Sequence, residues 1–391
     1  MDKYLYWLDR TEGLGTIAKR NLIEAFGTAE EVYRACDNHL KYILNDRKSE
    51  ILKNARNNVE IDKPFQALLD KNIQMCCYHD TNYPQKLINI PDPPFCLYYR
   101  GKLPDEKIPS VAIIGARECS AYGEYIASEL GKTLGSQGIQ VISGMARGID
   151  GISQWTALET GGVSYGVLGC GVDVCYPKSN QKLYDKLLIK GGILSTYPPG
   201  TKPQSKLFPP RNRIVSGLSD VLVVIEARQR SGTSITVEMA LEQGREIYAI
   251  PGRITDRLSD GCNKMLKEGA HVFLSPEDLM MDLEEMLPVK MAELRKQQLI
   301  ENDSRRQLQK EATKDKMNED SKISERENNS LGATIINVLD FYPQSVETIK
   351  EKLKREFHIE LKHEELTSEL IMLCLLGVIE QDSSSWFSRK R

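Results

Sequence analysis

Between residues 109 and 285 short apolar runs alternate with longer amphipathic ones. "SVAIIGA" (110–116) reads as a strand and "SAYGEYIASELGKTLGSQG" (120–138) as a helix closed by glycine. The strand "IQVISG", the helix "DGISQWTALETG", the strand "VSYGVLGCG", the helix "NQKLYDKLLIKG" and the strand "GGILSTYP" follow. A short helix near residue 210, the strand "DVLVVIEA", the helix "TSITVEMALEQG" and the strand "EIYAIPG" complete the series. The strands are continuous Val/Ile/Leu runs, which implies burial on both faces and a mostly parallel sheet covered by helices. The predicted fold is a doubly wound, Rossmann-like α/β domain over 109–285.

The flanks pattern differently. Residues 1–55 predict short helices: "YLYWLD", a "GLG" turn at 13–15, "TIAKRNLIEAF", and "TAEEVYRA" with Thr28 as cap. This is a small helical domain of helix-hairpin-helix or SAM-like type. Its helix–GxG–helix unit offers backbone N–H groups to a phosphate, or is a plain turn. Residues 56–108 read as an irregular connecting segment in which "PDPP" leads into the strand "FCLYYRG". Residues 286–330 mix charges of both signs with little apolar content, so a solvated helix and a disordered tether both remain open. Residues 331–391 return to globular patterning, with three helices and a hairpin, "VIEQDSSSWFSR". That is a winged-helix-like module, a fold that serves in DNA binding and in protein docking alike.

Composition narrows the function classes. The 391 residues are 40% hydrophobic and 27% charged, with a net charge of −3 at pH 7, so an anion site must be local. No apolar run approaches a membrane span of about 20 residues, and charges interrupt the apolar start "MDKYLYWLDR". The expectation is a cytoplasmic protein without membrane contact. Nine cysteines lack any CxxC pair, and the five histidines show no zinc spacing, so reduced thiols and no metal are expected. The GxGxxG and GxxxxGK[ST] fingerprints are absent, and no cofactor is expected.

Ligands of open α/β sheets bind beyond the carboxyl ends of the strands. The loops there carry Arg117, Arg147, Lys178, Lys206 with Arg211 and Arg213, Arg228 with Arg230, and Arg253 with Arg257. One rim of the sheet is therefore basic, which suits a ligand with several phosphates. Each arginine taken singly also fits an ion pair with Asp150, Asp220 or Glu226. Gly115 with Ser120, Ser143 with Gly144, and Ser231 with Gly232 stand where helices begin and supply candidate phosphate nests. In "SKLFPPRNRIVSGLSD" (205–220), Phe208 offers a flat face for an unpaired base, with cations around it for the backbone. Phe208 is equally suited to pack over the helix that follows.

These loops resemble the DNA processing protein A (DprA/Smf) family. The resemblance rests on "GARECSAYG" (115–123), "SGMARGID" (143–150), "YPKSN" (176–180), "GGILSTYPPG" (191–200) and "FPPRNRIVSGLSD" (208–220). "VVIEARQRSGTSITVEMALEQGREIYAIPG" (223–252) and "GCNKMLKEGA" (261–270) extend it. It implies a homodimeric, non-enzymatic protein that binds single-stranded DNA and loads the RecA recombinase onto incoming strands in natural transformation. It also implies DNA contacts at Arg117, Lys206 and Phe208, with Lys178 a further candidate and Arg211, Asn212 and Arg213 lining the same pocket. Thr196 departs from the family, which usually has an acidic residue there. A second expectation is an enzyme on nucleoside monophosphates, resembling phosphoribohydrolases that use a PGGxGTxxE loop. The comparable "RSGTSITVEM" has one glycine but keeps Glu238.

Overall fold

The structure is a computed structural model describing residues 2–58, 60–229, 231–300, 331–383 and 385–390. It divides into two compact units, Met1–Gln298 and Leu299–Arg391. No helix among the described residues is long and apolar enough to cross a membrane.

The first unit is built on nine strands: β1 (Gln74–Cys77), β2 (Cys96–Gly101), β3 (Ser110–Ile114), β4 (Gln140–Ser143), β5 (Ser164–Val167), β6 (Gly191–Ser195), β7 (Val221–Val224), β8 (Glu246–Ala249) and β9 (His271–Val272). They lie in the order β1-β2-β6-β5-β4-β3-β7-β8-β9. β3 to β9 are all parallel, and the β1 and β2 pairings are antiparallel. Alternate residues of each central strand enter opposite cores. Val111, Ile113, Val221 and Val223 pack with Leu130, Leu134 and Ile149 of helices Ala121–Ser136 and Ile149–Glu159. Ala112, Ile114, Leu222 and Val224 pack with Ile214, Leu218 and Val237 of helices Phe208–Leu218 and Gly232–Glu242. Burial on both faces is why these strands show no hydrophobic alternation.

Two features differ from the sequence reading. Residues 56–108 are not irregular: they hold the helix Asp62–Asp70, the strand β1 and the short helix Gln85–Ile88 before β2. β1 is only "QMCC", too short and too rich in cysteine to register as a β-branched run. The N-terminal helices also have no core of their own. Leu5, Trp7, Leu22 and Leu40 form one buried cluster with Tyr98 of β2 and Ile193 of β6. The Tyr98 hydroxyl donates to Asp9 at 2.5 Å, and Asp9 also faces Lys19 at 3.3 Å, both side chains about one-tenth exposed.

Residues 288–300 are helical, and the rest of the charged segment lies outside the described residues. The second unit contains the helices Leu331–Val338, Val346–Phe357 and His363–Leu375. Its sheet is β10 (Gln344–Ser345), β11 (Ile379–Ser383) and β12 (Trp386–Arg389), in the order β10-β12-β11. Ile335, Ile349, Leu353, Leu366, Leu370 and Phe387 form its core. This is the element order of a winged helix. Its third helix carries Glu364, Glu365 and Glu369 and no lysine or arginine.

Candidate nucleic-acid interface

The chain runs from β3 outward through β4, β5 and β6, then returns to place β7 against the other side of β3. The helices that follow β3 and β7 consequently cover opposite faces, and a crevice opens beyond the carboxyl ends of those two strands. It holds a cavity of about 550 Å³ whose lining includes Gly115, Arg117, Gly144, Phe208, Arg211 and Asn212. Ser231 and Gly232, at the start of the helix Gly232–Glu242, line it as well.

Arg211 dominates this cavity. Its side chain enters from the first turn of the helix Phe208–Leu218, and the residue is 6% exposed. Its guanidinium makes no hydrogen bond to any described residue, and its Nε is buried without a partner. Gly144 is required beside it: a Cβ there would lie 2.0 Å from the Arg211 Nη1. The opposing charge is Asp150, buried at 8% exposure, whose Oδ2 accepts from the Gly144 N–H at 3.1 Å. Burial pushes the Asp150 carboxyl up and the Arg211 guanidinium down, and each is partly offset by the other's charge. A guanidinium remains protonated under such a shift. Arg211 is thus a desolvated cation with donors that the protein leaves unused, which is costly unless an anion supplies acceptors.

Phe208 stands half-buried next to it. The guanidinium carbons of Arg117 and Arg211 each lie 5.9 Å from the ring centroid, within cation–π range. The ring is also 5.4 Å from that of Tyr176, the planes tilted by 35°. Sequence reasoning took only Lys178 from "YPKSN". In the structure Tyr176 builds the aromatic surface, and Asn180 donates to the Met145 and Ala146 carbonyls at 3.1 Å, fixing the loop after β4. The signal for Tyr176 was an aromatic at a strand's carboxyl end, in the same motif.

Other predicted residues go elsewhere. Ser120 is engaged by Glu226, which accepts from its N–H and its hydroxyl. Ser143 is buried and donates to the Ile113 carbonyl at 2.6 Å. Arg213 turns out of the cavity and pairs with Asp92, 3.6 Å away. Arg147 is exposed in an adjoining cleft with Trp155 and Lys182, and Lys178 is exposed nearby on the turn Lys178–Asn180. Lys206 is exposed on the turn Ser205–Leu207, whose Ser205 reaches the cavity. Arg230 lies outside the described residues. Glu238 is exposed on its helix and is not part of the cavity lining.

The carboxyl ends of the strands carry cations that no carboxylate of a described residue neutralises. Arg117, Arg147, Lys178, Lys206, Arg228, Arg253 and Arg257 are all exposed, and none is paired with a carboxylate of a described residue. At the amino ends, buried Asp220 takes both Lys86 at 2.9 Å and Lys290 at 2.6 Å. Burial alone would push Asp220 up, but the two lysines hold it below the usual carboxylate range. Lys86 bears the desolvation cost: burial pushes it down to about 8, against the pull of Asp220. Among the described residues no group of His, Cys, Asp and Glu could hold a metal ion, and no cysteine is in a disulfide.

Fold and crevice together define an open α/β protein with an arginine-lined cavity at its topological switch point. A family described as DNA recombination-mediator protein A matches residues 74–284. The DNA processing protein DprA of Streptococcus pneumoniae is 42% identical over 205 residues, 52% of this chain and 72% of that protein. Protein Smf of a Synechocystis species is 34% identical over 289 residues, covering 71% and 72% of the two chains. An X-ray structure of the Streptococcus pneumoniae protein superimposes with a TM-score of 0.63 at 34% identity, over 72% of this chain and 98% of that one. The chain belongs to the DNA recombination-mediator protein A family.

Proposed function

We propose that the crevice binds single-stranded DNA, and that the chain acts as a non-enzymatic recombination mediator. One observation carries this reading: Arg211 is a buried cation with unused donors, opening onto a cavity beside an accessible aromatic ring. A backbone phosphate satisfies the guanidinium bidentately, and an unpaired base stacks on Phe208. Duplex DNA has no free base face to offer that ring. Arg117, Asn212 and the helix start at Ser231 and Gly232 then serve the same strand, and exposed Arg147, Lys178 and Lys206 extend the track. The family membership supports a role in which the bound strand is handed to RecA in natural transformation, by a homodimer in the cytoplasm. The sheet edge at β9, unpaired among the described residues and with Val272 and Leu274 exposed, supports self-association.

The test is fluorescence anisotropy of the full chain with labelled oligo-dT and with duplex of equal length, over a salt series. Tighter binding to the single strand, weakened in Arg211→Met, is the expected result. Binding indifferent to strandedness and to Arg211 overturns the reading.

A further inference from the structure

The helix Ala121–Ser136 follows β3, so its amino end faces the crevice where dinucleotide-binding proteins of this architecture seat a pyrophosphate. In this chain that seat is taken. Glu226, two residues beyond the end of β7, is 1% exposed and lines the cavity. Its Oε2 accepts from the Ser120 N–H at 3.0 Å and its Oε1 from the Ser120 hydroxyl at 2.5 Å. The same hydroxyl caps the helix by accepting from the Gly123 N–H at 3.2 Å. Gly123 also makes room, because a Cβ there would lie 2.5 Å from the Glu226 carboxyl carbon. No cation of a described residue pairs with this carboxylate. Its partners are a helix's first N–H, the capping hydroxyl and the helix dipole, which are the partners a bound phosphate would use.

We propose that Glu226 is a built-in anion that occupies the phosphate seat of the crevice, holding the Arg117 loop and excluding the phosphate of free nucleotides. Two consequences follow from the geometry. The loop Gly115–Ser120 is tethered at its far end to Glu226, just past the exit of the neighbouring strand, so Glu226 positions Arg117 without bonding it. A nucleotide phosphate approaching the helix meets a fixed negative charge in filled space, while the phosphates of a strand are left to Arg117 and Arg211. The exclusion stands apart from the single-strand reading; only the positioning of Arg117 for DNA rests on it.

The experiment measures the melting temperature of the full chain against added acetate, inorganic phosphate and AMP, at constant ionic strength with chloride. Wild type and Glu226→Ala are compared, with Glu226→Gln as the control that keeps the volume. Removing the carboxymethyl group opens the seat, so Glu226→Ala should be stabilised by acetate and by phosphate. A twentyfold excess of anion over its dissociation constant should raise its melting temperature by about 3 °C. Wild type and Glu226→Gln should rise by about 1 °C or less under the same additions. A Glu226→Ala chain that folds only when one of these anions is present supports the proposal equally. A Glu226→Ala chain that is indifferent to all three anions, whether folded or not, overturns it, as does equal stabilisation of wild type. Strand binding measured on the same samples reports separately on the DNA reading, because anion rescue does not depend on it.

Discussion

Replacing Arg211 by methionine isolates what a buried, unbonded cation does. Methionine keeps the unbranched apolar stem and its packing, while the guanidinium that lies against Gly144 goes, and with it the charge and the five N–H donors. For binding, the loss is that of charge-assisted hydrogen bonds to one phosphate, about 1.5–3 kcal/mol, or roughly a 10- to 150-fold weaker dissociation constant. The slope of log affinity against log salt should fall by about 0.7, the amount for one single-strand phosphate contact. For stability two terms oppose each other. Desolvation of a guanidinium without acceptors is relieved, but buried Asp150 loses its countercharge. No salt bridge within 4 Å joins the two, so their attraction is below about 4 kcal/mol at an effective dielectric near 20. The double variant Arg211→Met/Asp150→Asn removes both charges and should be at least as stable as wild type, while Arg211→Met alone is less stable. Urea melts of the three chains and anisotropy salt series on the same preparations read both quantities. Unchanged affinity and slope in Arg211→Met, or a double variant less stable than the single one, refutes the reasoning.

Other expectations follow from the same geometry. Phe208→Ala should weaken oligo-dT binding by about 1–3 kcal/mol with the salt slope unchanged, since stacking releases no counterion; a changed slope would assign Phe208 another role. Arg213→Ala, which removes a cation already paired with Asp92, should leave affinity within about twofold in the same assay. Gly144→Ala should weaken binding about as much as Arg211→Met does, because the added Cβ displaces the guanidinium; competition anisotropy checks it. Asp220→Asn should lose about 3 kcal/mol at pH 7 by leaving Lys86 and Lys290 without their countercharge. The carboxyl of Asp220 is held low in the fold, so its contribution is present above the unfolded value near 3.9 and fades as pH falls through the folded one. The gap in melting temperature between wild type and Asp220→Asn should therefore close below about pH 4; a constant gap down to pH 3 contradicts the assignment.

Much of this was legible in the sequence, for identifiable reasons. The central strands are buried on both faces, and such strands write themselves as unbroken aliphatic runs, as in "SVAII" and "VLVV". The basic rim was legible because strand ends fix which loops share one side of the sheet. What single residues do inside that rim was not. Arg211 and Arg213 are two positions apart on one helix and so point in different directions, one into the cavity and one to Asp92. Ser120 looked like a phosphate ligand because its true partner, Glu226, lies 106 residues away and meets it only through the β3–β7 pairing. Strand β1 was missed, unlike β2, because its Met75 and Cys77 are buried with the N-terminal helices, a contact that no local periodicity records.

The exposed cations around the crevice bear on how fast partners meet. Seven of them are paired with no carboxylate of a described residue, so their field projects outward from a chain of net charge −3. The crevice mouth is a source of positive potential as well as a binding surface. That potential draws a polyanion toward the crevice before contact, shortening the search that limits most protein encounters. Capture should then quicken steeply as salt is lowered, while release, governed by the desolvated Arg211 and the ring of Phe208, should respond far less.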